Sequence, residues 1–169
     1  GAGRAFLVFR GTLVTSRSNL LTDADLRLVR HRRGPGRLHR GFHDAYERIA
    51  ASVREACRRL SPGTPLYIAG HSLGGALAVL ASAELRPATA LYTFGAPKIG
   101  DRDFAEQLPP LPRYRVINEH DLVCQLPPGP LYRHVGAPHL VTGDGDIHRG
   151  PAAQLSFRDR FGRNLRRRL

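Results

Sequence analysis

Short, wholly apolar runs alternate along this chain with longer stretches in which apolar residues recur every third or fourth position. Ala5 to Phe9 (AFLVF) is apolar throughout and ends at Gly11, the pattern of a strand buried on both faces. Leu66 to Gly70 (LYIAG), Thr89 to Gly95 (TALYTFG) and Tyr114 to Asn118 (YRVIN) repeat that pattern. Between the first two runs, Phe42, Tyr46, Ile49, Ala50, Val53 and Cys57 recur at helical spacing, with arginines on the opposite face. This predicts an amphipathic helix over 42–60, broken by SPGTP. Ser72 to Leu85 is apolar nearly all round and predicts a buried helix. Gly100 to Leu108 suits a short helix stopped by Pro109 and Pro110. Leu26 to Val29 reads as a short edge strand and Arg32 to Arg37 (RRGPGR) as a turn. Tyr132 to Val135 and His139 to Val141 read as two further short strands. TGDGDIHRGP (142–151) reads as a turn-rich loop before a helical C-terminus. Strands alternating with helices, each strand continuously apolar, predict an α/β fold around a mainly parallel sheet. No repeat and no linker divides the chain, so residues 1–169 read as one domain.

Composition narrows this picture only slightly. With 169 residues, 41% of them apolar, the chain can bury one core. Its longest apolar runs are too short to span a bilayer, so no transmembrane segment is expected. The net charge is +12, and of the basic residues only Lys98 is a lysine. The arginines are spread along the chain and carry no nucleic-acid-binding motif, so no specific nucleic-acid partner is expected. The charge still favours polyanions and anionic lipid headgroups. RNLRRRL at the C-terminus is either a solvated tail or a surface for peripheral contact with an acidic membrane. Cys57 and Cys124 have no metal-ligand spacing and are expected to be buried, unpaired thiols that do not decide the compartment. The chain opens GAGRAF without a methionine, which points to a trimmed or longer parent.

The chemistry concentrates in YIAGHSLGGALAVL. GHSLG matches G-x-S-x-G through Gly70, Ser72 and Gly74, with His71 before the serine. The bare pentapeptide is a weak signal. Its placement after a strand and before a helix is a strong one, because that is the context of a nucleophile elbow. A side chain at Gly70 or Gly74 would press on the neighbouring strand or helix. The tight turn lifts the serine hydroxyl above the end of the sheet, beside the unpaired N–H groups of a helix N-terminus. The alternative role for Ser72 is an ordinary helix cap, which needs no flanking glycines.

A serine needs a base, and the base needs an orienting acid. Asp121 follows YRVIN by a few residues, where catalytic groups gather in α/β sheets. Three histidines come later. His134 lies in an apparent strand and suits a structural role. His148 lies in the Gly- and Asp-rich loop and is the first candidate base, with His139 second. His71 should point away from the elbow. The oxyanion hole is expected from the N–H of Leu73 and from Thr12, which Gly11 lets approach closely. No metal site and no cofactor are expected.

LVFRGT, LHRGFHDAY, LYIAGHSLGGALAVL, YTFGAPKIGD, YRVINEHDLVCQLPP and YRHVG, in this order, resemble the class 3 lipases, an α/β-hydrolase family that includes fungal triacylglycerol lipases and bacterial relatives. The resemblance covers most of Ala5 to Gly136. It implies the α/β-hydrolase fold, with the family's first strands and helix missing ahead of FRGT. It also implies ester hydrolysis through an acyl-enzyme without a cofactor. Carried over by position, Ser72 corresponds to the nucleophile, Asp121 to the acid, and Thr12 with Leu73 to the oxyanion hole. The stretch holding LVTSRSNLLTDADL corresponds to the family's lid, where Leu13, Val14, Leu20 and Leu21 face acyl chains, or else it is a solvated connector. DIHRG only partly matches the family's terminal histidine motif. The expected function is hydrolysis of a lipid ester or smaller ester. The alternatives are phospholipid hydrolysis or acyl transfer on the same triad, and a non-catalytic lipid-binding module.

Overall fold

The structure, a computed structural model, describes residues 3–11, 26–85 and 88–150. Thr12, the lid-like stretch and the helical C-terminus expected above lie outside the described residues.

Strand β1 (Ala5–Phe9) leads to a small antiparallel ribbon of β2 (Leu28–Arg30) and β3 (Arg37–His39). Helix α1 (Arg40–Arg58) follows, then β4 (Leu66–His71), α2 (Leu73–Glu84) and β5 (Ala90–Phe94). A five-residue helix α3 (Arg102–Glu106) precedes β6 (Arg113–Asn118). A 3-10 turn (Leu122–Gln125), β7 (Ala137–Val141) and β8 (Ile147–Arg149) complete the order. The six-stranded sheet runs β1-β4-β5-β6-β7-β8, parallel except for the antiparallel β7–β8 pair. This is the α/β-hydrolase arrangement, with the long runs AFLVF, LYIAG and YRVIN in the sheet as expected.

Three details differ from the sequence reading. The segment near Leu26 is not an edge of the main sheet. It pairs instead with β3, and RRGPGR closes that hairpin through His31 N–H to Gly36 O at 3.0 Å. Tyr132 to Val135 forms no strand. Its backbone makes a single bridge from Arg133 to Gly100, and Tyr132 and Val135 are buried by their side chains alone. The loop reading of TGDGDIHRGP is also corrected, because Ile147–Arg149 is strand β8. Its three residues are all exposed, so they carry no buried alternation that the sequence could display.

The core lies on one face of the sheet. Phe42, Tyr46, Ala50, Val53 and Cys57 form the buried stripe of α1 and pack on α2. Helix α2 sits between α1 and strands β1, β4 and β5, which explains why its sequence is apolar all round. Ile68 and Leu91 point into this layer and are almost completely buried. Truncating such a residue to alanine costs about 2–5 kcal/mol. The other sheet face is open. Phe6 and Val8 are about two-thirds exposed, Phe6 stacks on Tyr67 at 5.4 Å, and Tyr92 stacks on Tyr114 at 4.8 Å. Strands β4, β5 and β6 end at one common edge, where α2 begins. The chemistry-bearing residues collect there.

Candidate active site

Ser72 occupies the junction between β4 and α2 at φ 54° and ψ −126°, and it is the sole non-glycine residue at positive φ among the described residues. Holding a serine there costs of order 1–3 kcal/mol. Its N–H donates to Phe94 O at 2.9 Å, and its carbonyl accepts from Gly75 N–H at 2.9 Å. Its side chain makes no capping hydrogen bond, so the helix-cap alternative does not describe it. The flanking glycines are sterically required. A Cβ on Gly70 would stand 2.1 Å from Gly74 O, and one on Gly74 would stand 2.2 Å from Phe9 O. Elbow, helix start and β1 therefore touch through backbone alone.

Leu73 is the first residue of α2, where the leading N–H groups have no intrahelical acceptor. A Cβ on Gly11 would stand 2.7 Å from His71 O and 3.4 Å from Ser72 Cβ. At Gly11 the chain leaving β1 thus runs close to the His71–Ser72 backbone. Thr12 itself is outside the described residues.

Asp121 lies just past β6. Its N–H donates to Asn118 O at 3.1 Å. Oδ1 accepts from Val123 N–H at 2.9 Å, and Oδ2 accepts from the Cys124 thiol at 3.8 Å. Oδ2 also lies 2.3 Å from the point where a Cβ on Gly95 would stand, and Gly95 has φ +58°. Sequence reasoning did not place Gly95 or Cys124 beside Asp121. The available signal was the glycine ending the TFG strand, next to the strand that leads to Ser72.

The histidines are placed differently from one another. His134 is held as a structural residue: its Nε2–H donates to Cys124 O at 2.8 Å. Burial, reinforced by the nearby Arg115 cation, pulls its pKa down to about 3, so the ring is neutral. His139 lies on the open face of β7 against Tyr114. His148 pairs in register with Leu140 on β8, the far edge of the sheet, and is exposed. Four strand spacings separate β8 from β4, about 19 Å. The structure therefore brings Asp121 toward the elbow but leaves both His148 and His139 away from Ser72. His71 is exposed at the end of β4. Its Nδ1 lies 3.4 Å from the would-be Cβ of Gly11, and its Nε2 lies 3.6 Å from that of Gly95. Its ring spans the ends of the strands on Asp121's side.

Behind Asp121, Arg115 on β6 is buried, and its pKa is lowered to about 10 by that burial. Its Nε–H donates to Gly136 O at 3.3 Å. Cys57 and Cys124 are both buried, as expected. Among the described residues no helix is long and apolar enough to cross a membrane.

Residues 6–130 match the family described as Lipase (class 3). The chain belongs to the class 3 lipases. It is 38% identical over 107 residues to Toxin TseL of Vibrio cholerae serotype O1, a match covering 60% of this chain and 16% of that protein. It is 31% identical over 129 residues to the lipase of Rhizomucor miehei, covering 68% of this chain and 35% of the relative. Among solved structures, the lipase of Rhizopus microsporus var. chinensis superposes with a TM-score of 0.73 at 27% identity, covering 84% of this chain and 54% of that one. This class 3 lipase chain thus spans about half of the solved fungal enzyme and less of the two relatives.

Proposed function

We propose that this chain is a serine carboxylester hydrolase acting on lipid esters, with Ser72 as nucleophile and Asp121 as the acid of a Ser-Asp-His triad. The observation that carries the reading is the strained, non-capping Ser72 between a parallel strand and a buried helix. Strain of this kind persists where the surrounding structure enforces it, and here the close contacts of Gly70 and Gly74 enforce it. Ser72 Oγ attacks the ester carbonyl while the histidine takes its proton. The Leu73 N–H and Thr12 hold the oxyanion at the helix N-terminus, and Asp121 steadies the imidazolium. The histidine then protonates the leaving alcohol, and water releases the acid from the acyl-enzyme.

The base in this reading is His148, and the reading requires β8 to leave β7. Three residue pairs hold β8 against β7, and although Leu140 of β7 is buried, every residue of β8 is exposed, so local opening is inexpensive. Named relatives that are lipases support a lipid ester as substrate, and the net charge of +12 favours anionic lipid surfaces. The test is hydrolysis of short- and long-chain nitrophenyl esters by the purified chain beside Ser72→Ala. Turnover that disappears in the variant supports the reading. Turnover unchanged in the variant overturns it.

A further inference from the structure

Both oxygens of the Asp121 carboxylate are taken up by the turn that follows it. Oδ1 accepts from the Val123 N–H, and Oδ2 faces the Cys124 thiol at 3.8 Å, within the reach of a sulfur donor. We propose that Cys124 is a positioning residue: its thiol donates to Asp121 Oδ2 and holds the carboxylate in the orientation that receives the imidazole. The inference rests on the reading of Asp121 as the acid of the triad.

The turn carrying the thiol is itself fixed. The carbonyl of Cys124 accepts from His134 Nε2–H at 2.8 Å, and that of Leu126 accepts from Lys98 N–H at 2.6 Å. Cys124 is 1% exposed, which closes it to solvent reagents, and its thiol lies against Asp121 with the Arg115 cation also near it. Burial, together with the Asp121 charge, pushes the thiol up to about 12. It therefore stays protonated, a donor and never a competing anion, across neutral pH. An S–H is also a weak donor, so it orients the carboxylate without drawing off much of the charge needed to steady an imidazolium.

Cys124 also packs with the buried Ile117 and Leu140, so a purely apolar role is the competing account. The two accounts predict opposite rankings. Cys124→Val fills the apolar site but has no donor. Cys124→Ser keeps a donor and is the poorer filler. Both are compared with wild type in the full chain, on a nitrophenyl ester, with kcat and KM separated and folding checked by circular dichroism. Positioning predicts that Cys124→Val loses about tenfold in kcat at unchanged KM, the loss expected from one hydrogen bond, while Cys124→Ser stays within about threefold of wild type. Full activity in Cys124→Val, or a Ser variant worse than Val, overturns it. If the Val variant does not fold, Cys124→Ala, which cannot clash, is read in its place. Asp121→Asn separates the two levels. Wild-type turnover in that variant removes the acid assignment and this inference with it. Lost turnover there, beside an unaffected Cys124→Val, removes this inference alone.

Discussion

Asp121 Oδ2 occupies the space a side chain on Gly95 would fill, lying 2.3 Å from the position of a Cβ there. Asp121 and Gly95 come from the loops after adjacent strands, β6 and β5, so the absence of a side chain on one strand's end leaves room for the carboxylate on the next. Gly95→Ala forces the carboxylate to move, and the residue's φ of +58° adds backbone strain. Displacement of a catalytic group by about 1 Å costs on the order of 100-fold. The expected outcome is a folded protein whose kcat falls about 100-fold. Ester hydrolysis and circular dichroism measure the two parts. A variant with wild-type kcat would show that the acid lies elsewhere.

The strain at Ser72 predicts an exchange of stability for activity. Glycine adopts φ 54° and ψ −126° without a Cβ penalty, at the expense of a more mobile unfolded chain. Relief of about 1–3 kcal/mol less about 0.5–1 kcal/mol leaves Ser72→Gly roughly 1 kcal/mol more stable, or about 2–4 °C in Tm. Ser72→Ala keeps the Cβ and gains nothing. Both variants should be inactive. Equal melting temperatures for the Gly and Ala variants would show that the elbow is unstrained.

Much of this was legible in the chain because the physics behind it is local. AFLVF, LYIAG and YRVIN read as buried strands because both faces of a parallel sheet exclude polar residues, and the elbow read as an elbow because its glycines flank the serine in sequence. The open sheet face was not legible, since Phe6 and Val8 look buried in any periodicity argument and are about two-thirds exposed. Strand β8 escaped because Ile147 is the single apolar residue in IHR, and edge pairing leaves no mark on composition. The environment of Asp121 escaped for a different reason. Its contact with Gly95 joins positions 26 apart, and no spacing rule links a glycine after one strand to a carboxylate after the next.

His134 predicts a pH dependence of stability. Its pKa falls from the ordinary 6.5 to about 3, chiefly through burial and then through the Arg115 charge. Below pH 6.5 the unfolded chain binds a proton that the folded chain refuses. Stability contributed by the neutral ring is therefore present above 6.5 and is lost progressively as pH falls toward 3. His134→Gln can still donate toward Cys124 O and does not titrate. Urea unfolding across pH 3–7 should show a shallower decline for the variant, by about one proton. Parallel curves would mean that the ring is accessible to protons in the folded state.

The last prediction concerns the base, where the described conformation and the proposed chemistry differ most. His148 stands on an edge strand about four strand spacings from β4, which leads to Ser72, so the proposed triad closes only when β8 detaches. The strand is three residues long, exposed at every position, and joined to β7 by a turn closed through Gly145 N–H to Thr142 O at 3.0 Å. Such a hairpin opens at the low end of local stabilities, so its amides should exchange with solvent far faster than those of β4 or β5. His148→Asn should lower kcat about 1000-fold or more, as loss of a triad base does, whereas His139→Asn should leave it within about threefold. Retained turnover in His148→Asn, with slow exchange across Ile147 to Arg149, would dismiss His148. It would turn attention to His71, whose Nε2 lies 3.6 Å from the position of a Cβ on Gly95.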